Sequence, residues 1–468
     1  MISTKSFIFS NIISIVFILY SLLINIINLY FIENNSFEYY KFFEINYLIS
    51  FFFVFVIISR RKGVFSLFSI FLITYFAFIG SKLFLDVFDV ISVFDTYLFY
   101  FTKLNIDTIQ IFIYINHSLL IAVSIISLIH KDQKQRFDIT TQKEVYDFLI
   151  SKFKIISPFV IILNIYSLVL IINSGNYLAI FNGEFEGDFL YSISNYFQLL
   201  YNIFYIILIA SSKNVKELSN PSKIFFINLL IYSVRGQRGP MLIYLLLFLY
   251  QRNKIKRINL NKILVPFFAL LLFFIAIEYI RTSESRKSNF DFNQFKFISL
   301  PAEVSLFMIE FNKVSFINDS TPYILTPIKD YFNRLFHLVD PNIFYQGRTI
   351  TLLKNSNYLS HQLMFFLSKE SFYAGFGTGS SLIAEVYDLV GYRYSLLAYL
   401  FFFLIIAKIE NSSRKTMLMN LIFIVVFMSF IYSPRDSILK FFQNLVPLIL
   451  VYTFTKSYLK INEKRISS

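Results

Sequence analysis

The chain has 468 residues, 56% of them hydrophobic, with 61 Phe, a mean hydropathy of +0.61 and a formal net charge of +14. A soluble domain of this size has no interior able to hide that much apolar surface, so the composition specifies an all-α polytopic integral membrane protein. Zero Cys excludes disulfides, a thiol nucleophile and thiolate metal ligands, and four His leave no basis for a histidine metal cluster.

With no Trp, 32 Tyr supply the interfacial aromatic belt. The first apolar run, Phe7 to Phe31, is too long for the core of a cleaved signal peptide and lacks an Ala-x-Ala site, so it reads as a first spanning helix. Twelve crossings follow from hydropathy, at 7–31, 43–59, 64–84, 109–129, 155–174, 192–211, 222–234, 240–251, 263–280, 394–408, 417–432 and 437–455. An even number places both termini on one side. Twenty-five of the 43 Lys and Arg fall on that side, against seven in the short loops of the other. The positive-inside rule makes the basic side cytoplasmic. The net charge is thus explained by topology, and nucleic-acid binding is not needed to account for it.

The seventh and eighth crossings are unusual. Apolar runs from Ile224 to Val234 and from Met241 to Tyr250 flank Ser233-Val234-Arg235-Gly236-Gln237-Arg238-Gly239-Pro240, and both outer flanks are basic. Runs of that length reach only about 16–18 Å as helix, short of a hydrocarbon core of about 30 Å. The pair predicts a short hairpin over 222–251 with Arg235 and Arg238 at its tip. Residues 1–280 then form a first helical unit and 281–393 a large outer loop of short helices lying on or dipping into the membrane surface as a lid. Residues 394–468 complete the chain with the last three crossings and a cytoplasmic tail.

Arginines gather on the outer face: Arg235 and Arg238 on the hairpin tip, Arg281 where the ninth crossing emerges, Arg286, Arg334 and Arg348 in the large loop. A second tip, Tyr432-Ser433-Pro434-Arg435-Asp436-Ser437, adds Arg435. The planar guanidinium fork suits bidentate binding of phosphate. Gly236 and Gly239 let backbone N–H groups approach an anion, and Pro240 suits the first position of a helix whose N-terminus favours negative charge. This set predicts a pyrophosphate cradle. Near the end of the loop, Gly375-Phe376-Gly377-Thr378-Gly379-Ser380-Ser381 precedes an amphipathic stretch in which Thr378, Ser380 or Ser381 caps a helix running through Glu385 towards Tyr387. Gly377 and Gly379 join the candidate binding residues. Glu385, Glu303 and Glu310 are the loop carboxylates considered for sugar binding or base work. Among the histidines His361 leads as a base, with His337 its competitor and His117 and His130 structural. No carboxylate cluster has metal spacing.

The Arg235-Gly-Gln-Arg238-Gly tip and the Gly375-to-Glu385 stretch followed by Gly391, with a short helix pair before the loop and glycines at its end, resemble the bacterial O-antigen polysaccharide polymerases called Wzy. The resemblance covers roughly 222–440 and implies a multi-pass inner-membrane enzyme with a large periplasmic loop. It implies a lipid-linked substrate, an oligosaccharide repeat unit on undecaprenyl pyrophosphate, and a chain-length regulator protein as partner. The growing glycan would pass from its lipid pyrophosphate to the non-reducing sugar of a new unit. Because the leaving group carries its own activation, no cofactor is implied; the enzyme must stabilise the departing pyrophosphate and supply a base. By that analogy Arg235, Arg238, His361 and Glu385 are the catalytic candidates. Arg281, Arg348, Arg435, Gly236, Gly239, Gly377 and Gly379 are the substrate-binding ones, and no metal ligand is named.

Three other readings fit parts of the pattern. An O-antigen ligase shares architecture and donor. A polyprenyl-phosphate-sugar glycosyltransferase would show a carboxylate pair in the first outer loop, where Glu33-Asn34-Asn35-Ser36-Phe37-Glu38 has none adjacent. A flippase or transporter of the same lipid-linked unit favours short loops and repeated halves, neither of which is present.

Overall fold

The computed structural model describes residues 4–95, 104–130, 139–173, 189–234, 238–258, 300–311, 321–340, 343, 348–373 and 377–467. These residues are all-helical. In lipid the backbone has no water to bond to, so each crossing segment must satisfy its own N–H and C=O groups, which a helix does. Eight helices among the described residues are long and apolar enough to cross a membrane: Ile12–Glu33, Tyr40–Lys62, Leu67–Val87, Ile106–Ile129, Lys143–Asn173, Phe189–Ser211, Ser395–Ser412 and Ile438–Ile461. They correspond to eight of the twelve expected crossings. The expected span 263–280 lies outside the described residues, and Met417–Tyr432 is apolar but only 16 residues long.

We number the helices α1 (Thr4–Glu33), α2 (Tyr40–Lys62), α3 (Leu67–Tyr75), α4 (Ser81–Val87), α5 (Ile106–Ile129), α6 (Ile139–Asn173), α7 (Phe189–Ser211), α8 (Val215–Val234) and α9 (Arg238–Ile255). Then come α10 (Leu300–Phe311), α11 (Thr326–Leu335), α12 (Ile350–Asn355), α13 (Leu359–Leu367), α14 (Lys369–Tyr373), α15 (Leu382–Val390), α16 (Ser395–Ser412), α17 (Met417–Tyr432) and α18 (Phe442–Ser467). A π-helical turn, Phe76–Gly80, joins α3 to α4.

The hairpin differs from its sequence reading. Its arms, α8 and α9, run for 20 and 18 residues because the helices continue through the basic flanks, past Lys216 and Lys223 on one side and Arg252 and Lys254 on the other. The second arm begins at Arg238, two residues ahead of Pro240, and a proline in the first turn removes only a donor that has no intrahelical partner. Those charges, not shortness, keep the arms out of the set of plain apolar spans. Ser233 Oγ lies 3.4 Å from Met241 Sδ and ties the arms together below the tip.

Lipid gives helices no hydrophobic reason to associate, so packing and interhelical polar contacts hold the bundle. Asn164 of α6 donates to Gln198 Oε1 of α7 at 2.7 Å and to Asn228 Oδ1 of α8 at 2.8 Å, and all three are buried. Tyr47 Oη donates to Tyr75 Oη at 3.0 Å, and Tyr75 in turn bonds Asn116. Stacked rings fill the centre, Phe71 on Phe430 at 4.4 Å and Tyr205 on Phe225 at 3.6 Å.

The described part of 281–393 consists of short helices. One of them, α10, is not a surface element: Ala302, Val304, Leu306, Phe307 and Met308 are fully buried where it wedges between α5, the π turn and α15. Glu303, one of the loop carboxylates considered for sugar binding or base work, is instead buried there against Lys82 at 3.5 Å. Glu310 accepts Asn105 N–H at 3.1 Å and Thr108 Oγ1–H at 2.5 Å, so it caps the start of α5 from another helix. His117 bonds Ser50 at 3.0 Å and His130 pairs with Glu410 at 2.9 Å, both in the helix bundle as structural groups.

Candidate anion-binding cleft

A cleft of about 530 Å³ opens at one end of the bundle. Three stretches far apart in sequence build it: Arg348 to His361, the glycine segment 377–379, and the tip 432–436 with Lys440. Asp330 and Arg334 of α11, Pro301 and Gln443 complete the wall.

Each stretch is held by local chemistry. Thr349 Oγ1 accepts Leu352 N–H at 3.1 Å and caps α12, fixing Arg348 just ahead of the helix. Gln362 Nε2 donates to Leu353 O and Ser356 O, closing the bend between α12 and α13. Ser381 caps α15 through Ile383 N–H. The glycine segment lies against the turn at the tip and is joined to it by two backbone hydrogen bonds. Ser380 N–H donates to Arg435 O at 3.3 Å, and Leu382 N–H to Ser433 O at 2.8 Å.

Glycine is required where these surfaces meet. Gly379 has φ +80°, and a Cβ there would stand 3.0 Å from Arg435 O. At Gly377 a Cβ would stand 2.6 Å from Ser360 Oγ and 3.2 Å from Arg348 Nη2, so the bare backbone admits the guanidinium fork. Ser360 Oγ accepts Gly379 N–H at 3.1 Å, closing the same corner. Gly239, at the start of α9, packs so that a Cβ would stand 2.7 Å from Tyr432 Oη, and Tyr432 lines the cleft. The start of α9 therefore abuts the cleft wall.

Four cations and two carboxylates face the cleft. Asp436 is already engaged: it accepts Tyr358 Oη–H at 2.9 Å and Ser437 N–H at 2.9 Å and pairs with Lys440 at 2.5 Å. Asp330 accepts Ser356 Oγ–H at 2.5 Å. Arg348 and Arg435 have no carboxylate partner among the described residues, and aromatic faces hold them instead. The Arg348 guanidinium lies 5.8 Å from the Phe372 ring and Arg435 lies 5.6 Å from Phe78, which the π turn presents. Arg348 Nη1 is buried without a hydrogen-bond acceptor, and burial pulls this guanidinium below its ordinary pKa. A donor so placed is costly unless an anion meets it.

His361 lines the cleft, its ring 5.3 Å from Tyr358 and 6.4 Å from Phe372, with Nδ1 buried and lacking a hydrogen-bond partner. His337 ends α11 at φ +51°, exposed and away from the lining. Glu385 stands behind the wall. It is buried in the first turn of α15, where Oε1 accepts Ser380 Oγ–H at 2.8 Å. Burial pushes its carboxyl up to about 8, with the Ser380 bond opposing the shift.

Of the residues singled out from sequence, Arg334, Arg348, Arg435, His361, Gly377, Thr378 and Gly379 meet in this cleft, Glu385 supports it and Gly239 borders it. Arg235, Gly236, Arg281 and Arg286 lie outside the described residues. Sequence reading missed Tyr358, Ser360, Tyr432, Lys440, Phe78 and Phe372. Only Lys440 left a sequence signal, as the i+4 partner of Asp436.

The fold and cleft define an integral membrane protein with an arginine-lined cleft at one end of a helix bundle. Compared with known families, residues 9–462 match the model for O-antigen polysaccharide polymerase Wzy. The chain belongs to that family and is an O-antigen polymerase of lipopolysaccharide biosynthesis. No curated protein and no solved structure matches it.

Proposed function

We propose that the cleft holds the pyrophosphate of an undecaprenyl-pyrophosphate-linked oligosaccharide and that glycan transfer takes place there. Arg348, whose buried Nη1 lacks an acceptor, lines the same space as Arg435 and His361, and this carries the reading. In the reaction the bond between the sugar's anomeric carbon and the pyrophosphate oxygen breaks. A hydroxyl of the incoming unit forms the new glycosidic bond and gives up its proton. His361 takes that proton, and Arg348 and Arg435 take the charge that develops on undecaprenyl pyrophosphate. Lys440, restrained by Asp436, adds positive field at the rim.

Arg235 and Arg238, neighbours in sequence of Gly239, are assigned to binding the same donor, a reading supported by the packing of Gly239 on Tyr432. Glu385 acts by positioning the glycine segment and not as the base. The surplus of Lys and Arg in the opposite loops supports a cleft facing the periplasm, with both termini cytoplasmic and the protein in the inner membrane. Twelve crossings with the 281–393 segment between the ninth and tenth complete this topology, and a chain-length regulator is the expected protein partner.

Arg348→Ala and Arg435→Ala test the assignment. Each removes a stabilising donor, worth about 10²- to 10³-fold in rate by analogy with oxyanion sites. The expected lipopolysaccharide pattern is single repeat units with the protein still in the membrane. Wild-type ladders from both variants would refute the site. Loss of the single unit as well would point to ligation or flipping.

A further inference from the structure

Helix α11 has two faces. Asp330 and Arg334, four residues apart, line the cleft. The opposite stripe carries Leu325, Phe332, Leu335 and Phe336, exposed by 43, 39, 53 and 62%. The helix ends in a left-handed turn at His337, with Leu338 N–H bonded to Asn333 O at 3.0 Å and His337 N–H to Arg334 O at 3.4 Å. That pattern normally folds the following residue back over the last turn. The residue here is Leu338, exposed by 69%.

The position of this stripe says what covers it. The helix packs on the 3₁₀ turn Ile438–Phe441 and on α18, at the end where the span Ile438–Ile461 begins. The rings of Tyr331 and Phe332 stand 6.5 and 6.3 Å from Phe442, the first residue of α18. Further along the same span Leu450 and Phe454 are exposed by 65 and 75%, as side chains facing lipid are. The apolar stripe of α11 thus adjoins a lipid-facing helix at the level where that helix leaves the membrane. A short helix with one charged and one strongly apolar face at that level has the form of an interfacial helix.

We propose that α11 lies in the plane of the membrane–water boundary, with Leu325, Phe332, Leu335, Phe336 and Leu338 set among lipid acyl chains, so that the anion cleft opens at headgroup depth. The partner is the lipid surface itself. The inference is independent of what the cleft binds. Its consequence is that a ligand held in the membrane plane reaches Arg334 and Arg348 without leaving the bilayer.

The absence of Trp from the chain makes the test direct. Phe336→Trp, and separately Leu338→Trp, gives the full-length protein a single indole reporter. The purified protein is reconstituted in phosphatidylcholine vesicles with or without bromine atoms near the headgroup end of the acyl chains. The expected result for both variants is blue-shifted emission that is lost on shallow bromination and hardly touched by aqueous iodide. Bromines near the chain ends should quench less, since the helix lies at the boundary and does not span. Emission indifferent to bromine but quenched by iodide would place the stripe in water and overturn the proposal. Emission indifferent to both would mean that protein covers it, such as a second copy of the chain, and would overturn it equally.

Discussion

Replacing Gly379 by alanine perturbs the cleft at the point where two distant stretches of backbone touch. At φ +80° an alanine costs about 1–2 kcal/mol relative to glycine. The new Cβ meets the carbonyl oxygen of Arg435 at 3.0 Å, a backbone atom that cannot rotate away as a side chain would. The tip must retreat by a few tenths of an ångström, which weakens the 3.3 Å bond from Ser380 N–H to that same oxygen, worth about 0.5–1.5 kcal/mol. Together the costs come to about 1.5–3.5 kcal/mol, and at about 1.4 kcal/mol per tenfold the closed arrangement loses about 10- to 300-fold in population. Polymer length on a lipopolysaccharide gel, normalised to membrane abundance, reads the loss as a shift from long ladders to single units. Gly379→Asn separates the two causes. Asparagine tolerates the left-handed backbone but keeps the Cβ, so it should fall between alanine and wild type. A wild-type ladder from Gly379→Ala at normal abundance would show that closure of the glycine segment on Arg435 is not needed for polymerisation.

Further outcomes follow from the buried charges. The folded-state pKa of Glu385, raised from 4.5 to about 8, means the folded protein keeps a proton that the unfolded chain releases. Its contribution to stability is therefore full below about pH 4.5, declines as pH rises and is lost above about pH 8. Glu385→Gln should flatten that decline in thermal-inactivation profiles of the purified protein while preserving polymer, and an unchanged profile would count against a protonated Glu385. Lys82→Met removes the buried cation paired with Glu303 and should cost about 3–5 kcal/mol, seen as low membrane abundance, with recovery in the Lys82→Met, Glu303→Leu double variant. Tyr358→Phe removes one donor to Asp436, worth about 1.5–3 kcal/mol for a bond to a charged group. Chain length should shorten at unchanged abundance, and an intact ladder would exclude Tyr358 from organising the cleft.

The crossing helices were legible because their signal is local: each is a run of apolar residues, and lipid permits little besides a helix there. The glycine segment and the Arg435 tip were also visible, as residue types with few structural uses between apolar runs. What joins them was not. Nothing in the sequence says that Ser380 and Arg435 share a hydrogen bond, since 55 residues of separation leave no periodicity to read. Glu303 and Glu310 look like solvated loop carboxylates by position, and only the insertion of α10 turns one into a buried partner of Lys82 and the other into a cap for α5. Phe78 is one of many phenylalanines in a spanning run. Its place under Arg435 depends on a π turn, and such a turn leaves no compositional mark. In the hairpin the apolar runs understate the helices, because α8 and α9 continue through their basic ends.

The pairing of Ser380 and Leu382 with Arg435 and Ser433 also sets an order of assembly. Ribosomes deliver the chain from the N-terminus, and the tip that closes the cleft lies between α17 and α18. A chain arrested before α17 could insert every earlier helix and still have half a binding wall. The wall of the cleft is therefore complete only once α17, α18 and the tip between them have been made.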